Sequence, residues 1–437
     1  MKKTRWIVGV VMLVVVLGML PLLAACGEEE PAATTAAPTE TTAAPTETTA
    51  GPTETTAAPT ETTAAPGGKV ETLKIGAIFQ LTDWYSAVDA GEIGDTQVVA
   101  DLINERYPLV IGDTTYKIEL VTQDGKSTLD GNTTAANKLV YDEKVKFAIG
   151  PSAFFNAATS PIFEQEKVMH VAGYNTFIPG EMGPETPYGF LGSNGPVASS
   201  SAAMKALKRE YPDVKNVARA TADESTVNYT KDMWDQTITD NGFNIVGDMI
   251  LYNNAATDFN PIAVQLNAIA DADAYWFPLG TPPAYGNITK ALRALGNTKP
   301  VVYPNYGPAT LGIVGPEGSH NIINTQSYLA DDPFNPPIMQ EVFDARDTDL
   351  QWFGMVPNAL WVLVEAMRAA QSVEPADVVA AWENMDPKVS TLYGEGLLCG
   401  TETYGLKQHA VIYGCATSKI ENGQITQVEW VMPDPTP

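Results

Sequence analysis

The chain has 437 residues, more than one ordinary core accommodates, so one to three domains are expected. Hydrophobic residues make up 44% and charged ones 18%, while 26 Lys and Arg against 52 Asp and Glu give a net charge of −26. That balance is globular and excludes a nucleic-acid footprint, which needs a basic face; the acidity reads as solubility of a solvent-exposed protein.

Residues 1–25 are a leader rather than fold. Lys2, Lys3 and Arg5 form a positive n-region before the apolar run 6–25, which is long enough to pass for a membrane span. Leu23-Ala24-Ala25-Cys26 resembles the lipobox of bacterial lipoproteins, which implies that Cys26 is lipidated and anchors the mature protein to the membrane. Residues 26–70 follow as a tether. APTETTA recurs there with Pro38, Pro45, Pro52, Pro59 and Pro66 in register. Pro breaks any helix and no apolar seam exists, so the repeat is a solvated spacer and not a coiled coil. At Pro-type extension it reaches on the order of 120 Å, a length suited to crossing a thick cell wall.

From residue 71 the pattern becomes repeated β-α units. LKIGAIF is an apolar strand, and Val99, Leu102 and Ile103 share one face of a helix ending near Arg106. A second strand alternates through Tyr116, Ile118 and Leu120, and a helix is expected over 133–141. The stretch 146–177 then reads as strand, Gly150-Pro151 turn, helix and strand. Strands alternating with helices in this way predict a parallel sheet with helices on both faces. The series pauses at the Gly/Ser-rich segment 189–201 and restarts, with strands expected over 214–220, 244–251, 274–279 and 300–303. Asp258 is placed to cap a helix. Two such series predict two similar α/β lobes. A strongly apolar helix is expected over 361–370, and a terminal hairpin turns at Glu421-Asn422-Gly423. Met355, Trp361 and Met367 read as core.

Catalytic signatures are lacking. His170, His320 and His409 lie far apart, and the sequence holds no H-E-x-x-H, G-x-S-x-G or G-x-x-x-x-G-K-[ST] motif. No cofactor, catalytic residue or metal ligand is therefore assigned. With Cys26 carrying lipid, Cys399 and Cys415 remain as an even pair in an oxidising location. A disulfide between them is expected and would restrict the unfolded chain by roughly 3 kcal/mol; two separate buried thiols are the alternative.

The ordered features of residues 71–432 resemble the type I periplasmic binding proteins, the branched-chain amino-acid and amide-type receptors of ABC importers. LKIGAIFQLTDWYSA is similar to that family's first strand and ligand loop, and KIELVTQDGKS to its second strand. NKLVYDEKVKFAIGPSA, PIFEQEKVMHVAGYNT, ATDFNPIAVQLNAIADADAYWF and ENGQI resemble later segments in the family's order. The resemblance implies two Rossmann-like lobes joined by three crossings, near Asn194, Tyr328 and 408–410. The first lobe would comprise 71–194 with 329–409, and the second 195–328 with 410–437. Carried over residue by residue, the first lobe offers Asp83, Trp84, Tyr85, Ser152, Ala153, Phe154, Phe155, Tyr174, Asn175 and Thr176 to a ligand. The second offers Asp223, Tyr229, Thr281, Asn305 and Tyr306.

The resemblance implies a monomeric, extracytoplasmic, lipid-anchored protein. It would capture a small organic molecule (amino-acid-like, amide or aromatic acid) and deliver it to an ABC permease. A tethered sensor signalling to a membrane partner is the alternative. Departures bear on the ligand. Ala153-Phe154-Phe155 stands where the amino-acid binders supply Ser for the ligand carboxylate, and Asn305 stands where they supply Glu for its ammonium. Without that Glu, burial of an ammonium is costly unless Asp83, Asp223 or Glu224 substitutes.

Overall fold

The computed structural model describes residues 68–83, 85–151, 154–174, 180–254, 256–304, 308–325, 335–346 and 355–434. The leader, Cys26, the tether, and Trp84, Ser152, Ala153, Asn175, Thr176, Asn305 and Tyr306 lie outside these residues.

The first series runs β1 (Lys69–Phe79), α1 (Ser86–Glu105), β2 (Leu109–Ile111), β3 (Thr114–Asp124), α2 (Leu129–Asn137), β4 (Phe147–Ile149), α3 (Asn156–Gln165), β5 (Met169–Ala172) and β6 (Gly189–Leu191). The second runs α4 (Gly195–Glu210), β7 (Asn216–Ala222), α5 (Val227–Asp240), β8 (Asn244–Ile245), β9 (Ile250–Tyr252), α6 (Asn260–Asn267), β10 (Ala274–Trp276), α7 (Pro282–Ala294), β11 (Val301–Pro304), α8 (Pro308–Val314) and β12 (Ile322–Thr325). The remainder is α9 (Pro337–Ala345), α10 (Val356–Ala370), α11 (Pro375–Asn384), β13 (Lys388–Thr391), β14 (Gly394–Cys399), α12 (Thr401–Tyr404), β15 (Ala410–Ile412), β16 (Cys415–Glu421) and β17 (Gln424–Val431).

These strands form two sheets, in the orders β13-β14-β15-β6-β5-β4-β1-β3-β2 and β17-β16-β12-β11-β10-β7-β8, with β9 also on β7. The inner pairs β1–β3, β1–β4, β4–β5 and β5–β6 are parallel, as are β7–β10, β10–β11 and β11–β12. Inner strands buried on both faces read as continuous apolar runs, as the second half of β1 does. The architecture is the expected one of two α/β lobes. Its antiparallel additions, β2 against β3 and β13 against β14, were too short or too polar in pattern to stand out.

The chain changes sheet after Leu191, between Thr325 and Pro337, and between Ile412 and Cys415. Ala410–Ile412, expected at the start of the second lobe, is thus a strand of the first sheet. The single strand expected over 244–251 is two. Gly247 adopts φ 69° between them, and the offset to β7 lengthens by two residues from β8 to β9. The pause read at 189–201 holds the start of α4, where Ser199 Oγ donates back to Gly195 O at 2.9 Å. The N-cap position of α6 is taken by Phe259, which has no capping side chain, and Asp258, expected to cap, lies one residue earlier with its Oδ1 accepting from Asn260 N at 2.9 Å.

The expected disulfide is not formed. Cys399 ends β14 in the first sheet and Cys415 begins β16 in the second, so each is held by a different ladder. Cys415 instead accepts a hydrogen bond from Asn194 Nδ2 at 3.0 Å, and burial pushes its thiol up to about 12. Helix α10 is the centre of the first lobe's core, with Trp361 and Met367 fully buried and Tyr107 edge-on to Trp361 at 5.5 Å.

Candidate ligand-binding cleft

In a parallel sheet the segments leaving the carboxyl ends of the strands emerge along one edge, where open α/β proteins bind ligands. In the first lobe that edge carries the loops after β1, β3, β4 and β5. The first two are pinned together by Gln80, which is fully buried. Its Oε1 accepts from Ser127 N at 2.8 Å, and its Nε2 donates to Asn132 Oδ1 at 3.0 Å. Gly125 must lack a side chain here, because a Cβ would meet Asn132 Oδ1 and Gln80 Oε1 at 2.5 Å. Asp124 accepts from Leu81 N at 3.0 Å and Lys126 N at 2.7 Å. Slight burial works against its charge, but these amides hold its carboxyl below the usual range.

Asp83 takes φ 66° and its carbonyl accepts from Ser86 N at 3.1 Å, so it turns the chain into α1. Tyr85 follows, its amide donating to Ser127 Oγ at 3.2 Å. The Tyr85 ring meets Phe154 edge-on at 6.0 Å and Phe155 at 5.9 Å. Burial, with Asp89 and Glu92 nearby, holds the Tyr85 hydroxyl well above the ordinary phenol range. Phe154 is half-buried in a left-handed backbone conformation (φ 72°), an arrangement uncommon for a bulky residue and found at functional loops. Phe155 is buried. Tyr85, Phe154 and Phe155 therefore form one aromatic cluster.

Behind this wall α1 buries three acids. Asp89 Oδ2 accepts from Gln80 N at 2.5 Å, and Glu92 Oε2 from Val356 N at 3.0 Å. Asp95 pairs with Arg346 at 3.3 Å. Burial, reinforced by Asp89, pushes Glu92 up to about 8. Among the described residues no group of three or more His, Cys, Asp or Glu is placed to hold a metal ion.

The second lobe presents the matching edge. Leu279 O gathers three strand ends, accepting from Ala222 N at 2.9 Å, Tyr252 OH at 3.1 Å and Thr221 Oγ1 at 3.3 Å. Thr281 caps α7, accepting from Ala284 N at 3.4 Å, while its own amide donates to Asn254 Oδ1 at 3.2 Å. Asn254 Nδ2 in turn donates to Glu224 Oε1 at 3.4 Å. Asp223 and Tyr229 are both exposed.

One cavity draws on both lobes. Its space is about 330 Å³ including the part open to solvent. It is lined by Tyr174 from the first lobe. From the second come Ser199 and Ser200 of α4, Trp276 and Pro278 at the end of β10, Pro304 of β11 and Thr325 of β12. Tyr174 sits with its carbonyl bonded to Asn156 Nδ2, and burial raises its hydroxyl above the phenol range. Among the described sequence candidates, Tyr174 alone lines this cavity. The α4 serines were hidden in a stretch read as linker, and Pro278, Pro304 and Thr325 were legible only as strand ends.

The sequence matches the model of the family described as Periplasmic binding protein over residues 72–423. No curated protein matches it. Among solved structures, the branched-chain amino-acid binding protein LivJ from Streptococcus pneumoniae, in complex with isoleucine, is 19% identical with TM-score 0.66, covering 83% of this chain and 100% of that one. The leucine binding protein LivK from Thermotoga maritima is 18% identical with TM-score 0.65, over 83% of this chain and 99% of that one. A solute-binding protein from R. palustris, in complex with 4-hydroxybenzoate, is 19% identical with TM-score 0.64, over 84% and 98%. Those structures share the fold described above, two α/β lobes, and the family is one of binding proteins rather than enzymes. The chain belongs to the periplasmic binding proteins of type I.

Proposed function

We propose that this protein captures a small organic molecule between its lobes outside the cytoplasm and hands it to an ABC permease, tethered by lipid on Cys26. The observation that carries capture is the shared cavity. Tyr174 from one lobe faces the strand ends of the other across it. A ligand held by both lobes stabilises their approach, because its contacts with each are made together only in the closed arrangement. The first lobe would supply Tyr85, Phe154, Phe155 and Tyr174, with Trp84, Ser152, Ala153, Asn175 and Thr176. The second would supply Asp223, Tyr229, Thr281, Asn305 and Tyr306. Among the described residues no helix is long and apolar enough to cross a membrane.

A thermal-shift screen over amino acids, short amides, amines, aromatic acids and small carboxylates tests capture. One class is expected to raise the midpoint in a saturable way. No shift with any class would overturn the proposal. For the anchor, the native protein is expected to incorporate a labelled fatty acid that a Cys26→Ala protein does not, and equal labelling of the two would refute lipidation at Cys26.

A further inference from the structure

We infer that the ligand is uncharged, an apolar body bearing an amide or hydroxyl group, and that Thr325 bonds that group. This rests on the proposed capture between the lobes. Thr325 closes β12, its backbone held in the ladders opposite Pro304 of β11 and Thr417 of β16. Alternation along the strand sends the preceding side chain to the other face, where Asn324 Nδ2 donates to Ser418 Oγ at 3.1 Å. Thr325 itself is 2% exposed and lines the cavity. Among the described residues its hydroxyl has no hydrogen-bond partner. A buried hydroxyl left without one is costly. A ligand's amide or hydroxyl removes that cost, because Thr can both donate and accept.

The ligand's lack of charge follows from the segments that supply the lining, 173–180, 192–204, 274–281, 301–307 and 322–330. They contain no Asp, Glu, Lys or Arg. Asp83, Asp223 and Glu224, the acids at neighbouring strand ends, do not line the cavity. A carboxylate or an ammonium enclosed there would lose its hydration with no opposite charge to replace it. Helix α4 does not stand in for a cation. Its lining residues Ser199, Ser200 and Ala203 belong to the second and third turns, past the free amides of the first. What the lining offers is apolar surface, the Trp276 ring with Pro278 and Pro304, beside the hydroxyls of Ser199, Ser200 and Thr325. That combination fits a neutral molecule with one polar end. An amino acid or an aromatic acid would each bring a charge that this lining leaves unpaired.

Isothermal titration of the full chain with matched sets tests this: isovaleramide against isovalerate and isopentylamine, and benzamide against benzoate and benzylamine. In each set that binds, the amide is expected to be at least about tenfold tighter than either charged partner. Its affinity should not change with added salt, since no ion pair forms. Thr325→Val, which nearly keeps the side chain's shape without the hydroxyl, should weaken amide binding about tenfold. Thr325→Ser, which keeps the hydroxyl, should retain most of the affinity. A charged member binding more tightly than its amide, or an amide affinity unchanged in Thr325→Val, would overturn the inference and leave capture standing. No binding by any of these probes would also overturn it, and capture itself is then judged by the wider screen.

Discussion

Replacing Glu92 with Gln should flatten the dependence of stability on pH. Glu92 is 1% exposed and accepts the Val356 amide at the start of α10. A helix N-terminus favours a carboxylate, but here burial and neighbouring Asp89 prevail and lift the group from 4.5 to about 8. Below 4.5 both folded and unfolded chains hold this proton. Between 4.5 and 8 only the folded chain does, so stability falls as pH rises, by at most about 1.4 kcal/mol per unit for one proton. From pH 5 to 7 the limit is roughly 2.7 kcal/mol. Gln never ionises, and its amide oxygen still accepts the Val356 N–H. Glu164, lifted to about 7, and Asp95, lifted to about 6, titrate in the same sense. The native protein is therefore expected to lose stability across this window, and the difference between the two proteins isolates Glu92. Urea unfolding at pH 5, 6 and 7 measures it. Parallel curves for native and Glu92→Gln would refute the assignment of the proton to this site.

Three further outcomes are expected. Phe154→Ala combined with Tyr174→Ala should lower ligand affinity by about tenfold or more, since buried aromatic contacts dominate such sites; titration calorimetry showing full affinity would remove the aromatic wall from the cleft. Trp361→Ala should destabilise by about 3–5 kcal/mol through the cavity it leaves in the first-lobe core, measured by denaturant unfolding. Mature protein unfolded without reductant should show Cys399 and Cys415 both reacting with a thiol reagent, and reductant should not move its melting midpoint. A reductant-sensitive midpoint would reinstate the bridge.

Periodicity made the β-α alternation legible because strands buried on both faces are apolar throughout, as in the second half of β1 and in β4. Position within a strand was less legible. Nothing in the composition of 244–251 shows that Gly247 turns left-handed and splits it. Segments 388–399 pair only with each other and with β15 at the edge of a sheet, so no two-sided burial marks their sequence. For the site, strand ends could be located, but burial of a loop residue depends on the other lobe. Glu224 and Asp223 are adjacent acids in the sequence; Glu224 is half-buried beside Asn254 while Asp223 is exposed, and only folding separates them.

The pair read as a covalent staple shows the same limit from the other side. Two cysteines close in sequence satisfy every compositional condition for a bridge, yet the chain changes sheet between them, at Tyr413-Gly414. The tie at that point is made by Asn194, whose Oδ1 accepts from Tyr413 N at 2.7 Å while its Nδ2 donates to the Cys415 thiol. A second amide, Asn358, donates to Gly192 O at 2.7 Å and accepts from Leu392 N at 2.9 Å. The first and third crossings are thus bonded to one another and, through α10, to the body of the first lobe. Buried hydrogen bonds between the crossings make them bend together, because leaving either amide partner unsatisfied costs about 1–3 kcal/mol.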